Sequence, residues 1–175
     1  MSEIESVWLE IEDDRRKANF YGHDFPMNPA TSPDRIEQYL TRTTGFYTPQ
    51  QLTDSLLIFD GMDRERGVWR NGFIPLSVDV IVETWLIDRQ REQEAIDEDD
   101  DVIKHSHHLP IMFDPTLHHE IYIDANDGSV LNYNIDGGYF EEYRFPDYCS
   151  WLIAVRDFRP LIGYMEWPCL RENAE

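Results

Sequence analysis

"HEIYIDANDGSVLNY", residues 119–133, decides how this chain is read. Asp124, Asn126 and Asp127 crowd the approach to Gly128, as they would in a calcium loop. The flanking residues alternate, however. Ile121 and Ile123 are interleaved with Glu120, Tyr122 and Asp124; Leu131, Tyr133 and Ile135 are interleaved with Val130, Asn132 and Asn134. A period of two belongs to a strand. A calcium hand needs a loop of about twelve residues closed by a glutamate. Counting from Asp124, the closing position falls on Ile135, which has no ligand to give. Asn-Asp-Gly instead supplies the residues that tolerate positive φ in a tight turn. The stretch reads as two strands and a turn.

Outward from that turn, "HLPIMFD" (108–114) and "YFEEYRF" (139–145) are further strand candidates, giving a meander. Pro146 can open a last helix with Tyr148, Trp151, Leu152 and Val155 as its buried stripe. Upstream the period changes to that of helices. Ile4, Val7, Trp8 and Ile11 form one apolar face. Ser32-Pro33 starts a second helix, with Ile36, Tyr39 and Leu40 inward and Gly45 as its stop. Thr48-Pro49 repeats the start signal for a third, carrying Leu52, Leu56 and Phe59 and closed by Asp60-Gly61. "GFIPLS" (72–77) has Pro inside an apolar run and suits an edge strand. Ser77 can cap a fourth helix with Val78, Ile81, Val82, Trp85 and Leu86 at helical spacing. That helix is expected to fray into a solvated loop where the acids accumulate, over an insert of about 92–107. Helices followed by a run of strands make an α+β domain, with a mixed, mostly antiparallel sheet. One domain over 1–175 is expected, with an extra tail at about 160–175.

The chain holds 175 residues and 9 Tyr, 9 Phe and 5 Trp, more aromatic side chains than a disordered segment carries. Its formal charge is −20, from 35 acids against 15 bases. Only Lys17 and Lys104 are lysines. Such a surface repels nucleic acid and anionic membranes and attracts basic proteins. The two cysteines, Cys149 and Cys169, form neither a disulfide framework nor a Cys-x-x-Cys pair. The acidic start lacks the features of a signal peptide, and no apolar run approaches the roughly 20 residues of a membrane span. A cytoplasmic location is expected.

Catalytic chemistry finds little footing. There is no Gly-x-Ser-x-Gly elbow and no phosphate-cradling Walker loop. Cys149 sits among aromatic residues, the setting of a core thiol. Carboxylates are so abundant that a close pair carries little information. Five of the six histidines lie in "HSHH" (105–108) and "HH" (118–119). If their strands paired so that the clusters met, they could hold zinc or nickel. Their spacing is not that of the usual paired-Cys or His-x-x-x-His sites, so a polar patch at strand ends is the expectation, with no metal and no cofactor. The acid run Glu92, Glu94, Asp97, Glu98, Asp99, Asp100 and Asp101 reads either as a solvated loop or as a docking surface for a basic protein.

The order of these motifs resembles the SUKH superfamily, which joins cell-wall assembly regulators of the Smi and Knr type with bacterial toxin-immunity proteins. The stretches that carry the resemblance are "VWLEIED", "PDRIEQYLTRTTGFYTPQQLTDSLLIFDG", "VIVETWLID", "HHLPIMFD", "EIYIDANDGSVLNY" and "FPDYCSWLIAV". They span most of residues 5–158. Thr48-Pro49 stands where the family usually has Leu-Pro, and His108-Leu109 replaces its usual Trp. The resemblance implies a mostly antiparallel sheet packed by helices and a role in binding without catalysis. It implies an immunity protein that neutralises a basic toxin, such as a nuclease, or alternatively a regulatory scaffold docking on cell-wall or signalling proteins. The residues expected to bind the partner are the seven acids of the run, with Tyr139 and Tyr143 as aromatic anchors.

Overall fold

The turn at Asn126-Asp127-Gly128 closes the hairpin the alternation predicts. In this computed structural model, which describes residues 2–18, 27–62, 74–99, 105–114, 119–134 and 144–157, Gly128 takes φ 77° and its N–H donates to Asp124 O at 2.8 Å. Asp124 Oδ1 accepts from Asn126 N and Asp127 Oδ1 from Ser129 N, each at 2.9 Å. Both carboxylates are thus turn-formers.

The hairpin joins β3 (His119–Asp124) to β4 (Val130–Asn134). On one side β3 pairs with β2 (His108–Asp114), which pairs in turn with the edge strand β1 (Ile74–Pro75). On the other side β4 pairs with β5 (Arg144–Phe145). The spatial order follows the chain, β1-β2-β3-β4-β5, and every described pairing is antiparallel. The fold is α+β, as expected. Residues 139–143 of the predicted fifth strand and the tail after 157 lie outside the described residues. In β2 the register slips between Pro110 and Met112, the kind of irregularity that accommodates a proline in an inner strand.

The two faces of the sheet differ in chemistry. Leu109, Met112, Ile121, Ile123 and Val130 are buried together. They join the apolar stripes of α1 (Glu3–Ala18), α4 (Gln50–Leu56) and α6 (Tyr148–Asp157) in one cluster that includes Trp8, Leu52, Trp151 and Leu152. The Trp8 indole N–H donates to Ser55 Oγ at 2.8 Å, and Ser55 Oγ lies 3.2 Å from the Tyr148 hydroxyl. One polar chain thereby fastens three helices. The opposite face carries His108, Tyr122, Asp124 and Tyr133, which are also buried. Simple alternation would place Tyr122 and Asp124 in water. Tyr122 is covered because α5 (Val78–Asp97) reaches across this side, where its hydroxyl donates to Asp88 Oδ2 at 2.7 Å; Asp124 lies under His107 and Arg144.

Ser32 caps α2 (Pro33–Arg35), the chain continues through a π-wound turn at Ile36–Thr41, and α3 (Arg42–Thr44) ends at Gly45 with φ 75°. Tyr39, read as inward, is exposed; Ile36 and Leu40 alone are buried there. Thr48 does not cap α4, which starts from Pro49; its hydroxyl bonds that of Thr41 instead. Ser77 caps α5 as expected, its side chain accepting from Val80 N.

The largest difference from the sequence reading is the length of α5. The acidic stretch does not fray at Glu92: helix persists to Asp97. Side-chain links at helical spacing hold it, namely Gln90 to Glu94, Gln93 to Asp97 and an Arg89–Glu92 ion pair. Arg, Gln, Glu and Ala are also strong helix formers. Leu86, read as inward, is half exposed. The inward line is Val78, Ile81, Val82, Trp85 and Asp88.

Candidate functional site

Two regions stand out, and α5 contributes to both. Along its outer face Glu83, Ile87, Gln90 and Glu94 follow one another at helical spacing, flanked by Leu86 and Asp97. All are exposed, with Leu86 at 49% and Ile87 at 52%. Leu86 and Ile87 are neighbouring aliphatic side chains with Glu83 one turn before them, exposed Arg91 one turn after Ile87, and Glu94 and Asp97 further along the helix, an amphipathic strip of mainly acidic charge.

Of the acids named from sequence, Glu94 and Asp97 belong to this strip. Glu98 and Asp99 continue beyond the helix end, exposed, with Asp99 at φ 58°. Glu92 does not belong: it turns inward to Arg89 and is only 19% exposed, so its charge is already satisfied. Asp100, Asp101, Tyr139 and Tyr143 lie outside the described residues. Sequence reasoning missed Glu83, Leu86 and Ile87 as surface residues. The signal was present, since a helix carried through the acid run puts residue 83 in line with 87, 90 and 94.

The second region is the polar face of the sheet. The Tyr122 hydroxyl lies 2.7 Å from Asp88 Oδ2 and 2.9 Å from Glu120 Oε2, bridging the two carboxylates. Next to it the Tyr133 hydroxyl is 2.8 Å from His108 Nδ1. Burial, with the neighbouring His107 and His105, pushes the His108 imidazole down to about 3, so the ring is neutral at physiological pH. Arg144 closes the group, bonding Ser129 Oγ at 2.8 Å, Asp127 Oδ2 at 2.6 Å and Asp124 Oδ2 at 3.3 Å. Hydrogen bonding from Ser129 and the Arg144 charge hold the Asp127 carboxyl below its usual range.

The described strand positions of the two histidine clusters lie apart. His108 pairs with Asp124 at one end of β3, whereas His119 pairs with Asp114 at the other. His118 lies outside the described residues. What comes to His107 and His108 is Asp124, from the turn that opened the sequence reading. Nucleophilic chemistry gains nothing here: Cys149 is buried, and burial, with Glu3 and Asp147 nearby, pushes its thiol up.

The tyrosines give this region a measurable signature. Burial pushes Tyr133 up to about 12 and Tyr122 well above its ordinary range, and it raises Tyr148 in the helical core too. Each keeps its proton in the folded state while an unfolded tyrosine loses it near pH 10. The stability they confer is therefore intact below about pH 10 and is lost as pH climbs toward the folded values. Tyrosinate absorbance should show a group that ionises in one step together with loss of the circular-dichroism signal. A smooth titration centred near pH 10, with the fold retained, would contradict this burial.

No helix among the described residues is long and apolar enough to cross a membrane. No protein-family model matches this chain, and no curated protein matches it.

Proposed function

We propose that this chain is a non-catalytic binding protein of the SUKH type, an immunity protein that occludes a basic toxin. The observation that carries the reading is the outer face of α5, where exposed Leu86 and Ile87 share a line with Glu83, Glu94 and Asp97 on a chain of charge −20. Complementary charge speeds encounter and sets specificity, and the aliphatic pair supplies the desolvated contact that holds a partner. A nuclease fits best as the toxin class, because it must present a basic groove to phosphate and an acidic helix can fill that groove. The element order, N-terminal helices, an edge strand, a long helix, then an antiparallel meander and a closing helix, supports the family assignment.

The test is capture of partners from native cells on two baits, the wild-type chain and the Glu83→Lys/Glu94→Lys/Asp97→Lys variant. The expected result is one basic protein, retained by the wild type and strongly depleted on the variant. Several unrelated partners shared by both baits would instead favour a scaffold and leave α5 as a solvated face.

A further inference from the structure

The meeting of His107, His108 and Asp124 follows from the fold. His108 opens β2 opposite Asp124, the last residue of β3. The Ala125 N–H donates to His107 O at 2.8 Å, which pins the β3–β4 turn to the segment before β2. His107 Nε2 then lies 3.8 Å from Asp124 Oδ2. One donor atom from each of the three residues falls within 4.8 Å of the other two. The His105 ring stacks on His107 at 5.5 Å and meets His108 edge-on at 5.3 Å.

We propose that His107, His108 and Asp124 form a binding site for a divalent ion of the zinc class, completed by His105 or water. Two imidazoles and one carboxylate select zinc, nickel or cobalt over magnesium or calcium, which prefer oxygen donors. Ligand bonds of about 2.0–2.2 Å in tetrahedral geometry hold donors roughly 3.3 Å apart. The donors therefore close by at most about 1.5 Å on binding. His107 has room to supply that movement because its side chain is 28% exposed. His108 is fixed by the strand pairing and by the Tyr133 hydroxyl, as an oriented ligand should be.

Two guanidinium groups oppose a cation here: Arg89 lies near enough to act on His108, but it is paired with Glu92, and Arg144 lies 3.3 Å from Asp124 Oδ2. Of the two, Arg144 touches a ligand. It has other anchors in Asp127 and Ser129, and its side chain is half exposed. An ion can take over its share of Asp124 and leave those bonds in place. The ion would tie the segment before β2 to the β3–β4 turn and raise the melting temperature.

The probe is zinc chloride, titrated calorimetrically into the tag-free chain in excess magnesium chloride, which saturates the surface carboxylates. We expect one zinc per chain. His107→Ala should weaken binding beyond the roughly 10–100-fold that loss of an outer-sphere partner costs, and Asp124→Asn should do the same. Arg144→Gln should bind as tightly as wild type or more tightly. Because Asp124→Asn also disturbs the turn, wild-type protein loaded with cobalt(II) provides a second reading. Imidazole ligation at low coordination number gives an intense visible band that octahedral carboxylate binding does not. A flat titration, heats unchanged by His107→Ala, or a cobalt spectrum without that band would overturn the site.

Discussion

Gly61→Ala should destabilise the chain by about 4 kcal/mol or more, among the largest effects a single methyl group can have. Gly61 has φ +67°, where a side chain is already strained. The decisive point is space. A Cβ there would collide with Ser77 N and the Leu76 carbonyl carbon and would sit 2.7 Å from Leu76 O. These are backbone atoms, so no rotamer change relieves the clash. The crossing is also tied on every side: Met62 N donates to Pro75 O, Asn28 N to Gly61 O, and Val78 N to Asp60 Oδ1. Moving the two chains apart would break the entry to both β1 and α5. Gly45 and Gly128 serve as controls, since both have positive φ but nothing within 4 Å of a new Cβ. Alanine at either should cost only the backbone strain, about 1–2 kcal/mol. Urea unfolding of the three variants checks the contrast, and a Gly61→Ala midpoint close to that of Gly128→Ala would refute the close approach.

The second large effect is expected on binding. Reversing Glu83, Glu94 and Asp97 to lysine takes the formal charge from −20 to −14 and places the change on one helix face. Association with the captured basic partner should slow by about tenfold to a hundredfold at low salt, with dissociation little altered, because rim charges act mainly on encounter. The salt dependence of the wild-type rate should largely disappear in the variant. Leu86→Ala/Ile87→Ala should do the reverse, leaving association nearly unchanged and speeding dissociation. All five side chains are exposed, so Leu86→Ala/Ile87→Ala should shift stability little; the lysine variant also gives up the Gln90–Glu94 and Gln93–Asp97 links, at roughly 0.2–0.5 kcal/mol each, and circular dichroism checks that its α5 stays wound. Stopped-flow association at several ionic strengths separates the two contributions. Equal rates for wild type and the lysine variant would remove α5 from the interface.

The hairpin was legible because alternation and Asn-Asp-Gly are local signals, and β2 and β3 fall where the pattern put them. The helix starts at Ser32 and Ser77 were legible for the same reason. The extent of α5 was not. Charge density argued for a loop, while the Gln90–Glu94 and Gln93–Asp97 pairs that keep the helix wound are visible only once helical spacing is assumed. The polar sheet face was hidden by a different cause. Tyr122 and Asp124 read as solvent-facing because nothing local announces that α5 covers the first and that His107 and Arg144 meet the second. The single hint was Asp88, a carboxylate on the same stripe as Val78, Ile81 and Trp85. The approach of His107 and His108 to Asp124 depends on strand register across the β2–β3 pair, which spacing along the chain does not encode. The exposed strip on α5 was half legible: composition pointed to the acids, and only the three-dimensional helix added Leu86 and Ile87 to the same face.

The central claim is occlusion without catalysis, and stoichiometry tests it most directly. The captured partner's own activity should be measured while wild-type chain is added in steps. Occlusion predicts a linear fall that reaches zero at one chain per partner, reversed when the complex is dissociated in high salt. Loss of activity at far less than one chain per partner, or lasting after the chain is removed, would mean that the chain modifies its partner chemically. Undiminished activity at excess chain would mean that the partner is docked for another purpose, and the immunity reading would fall.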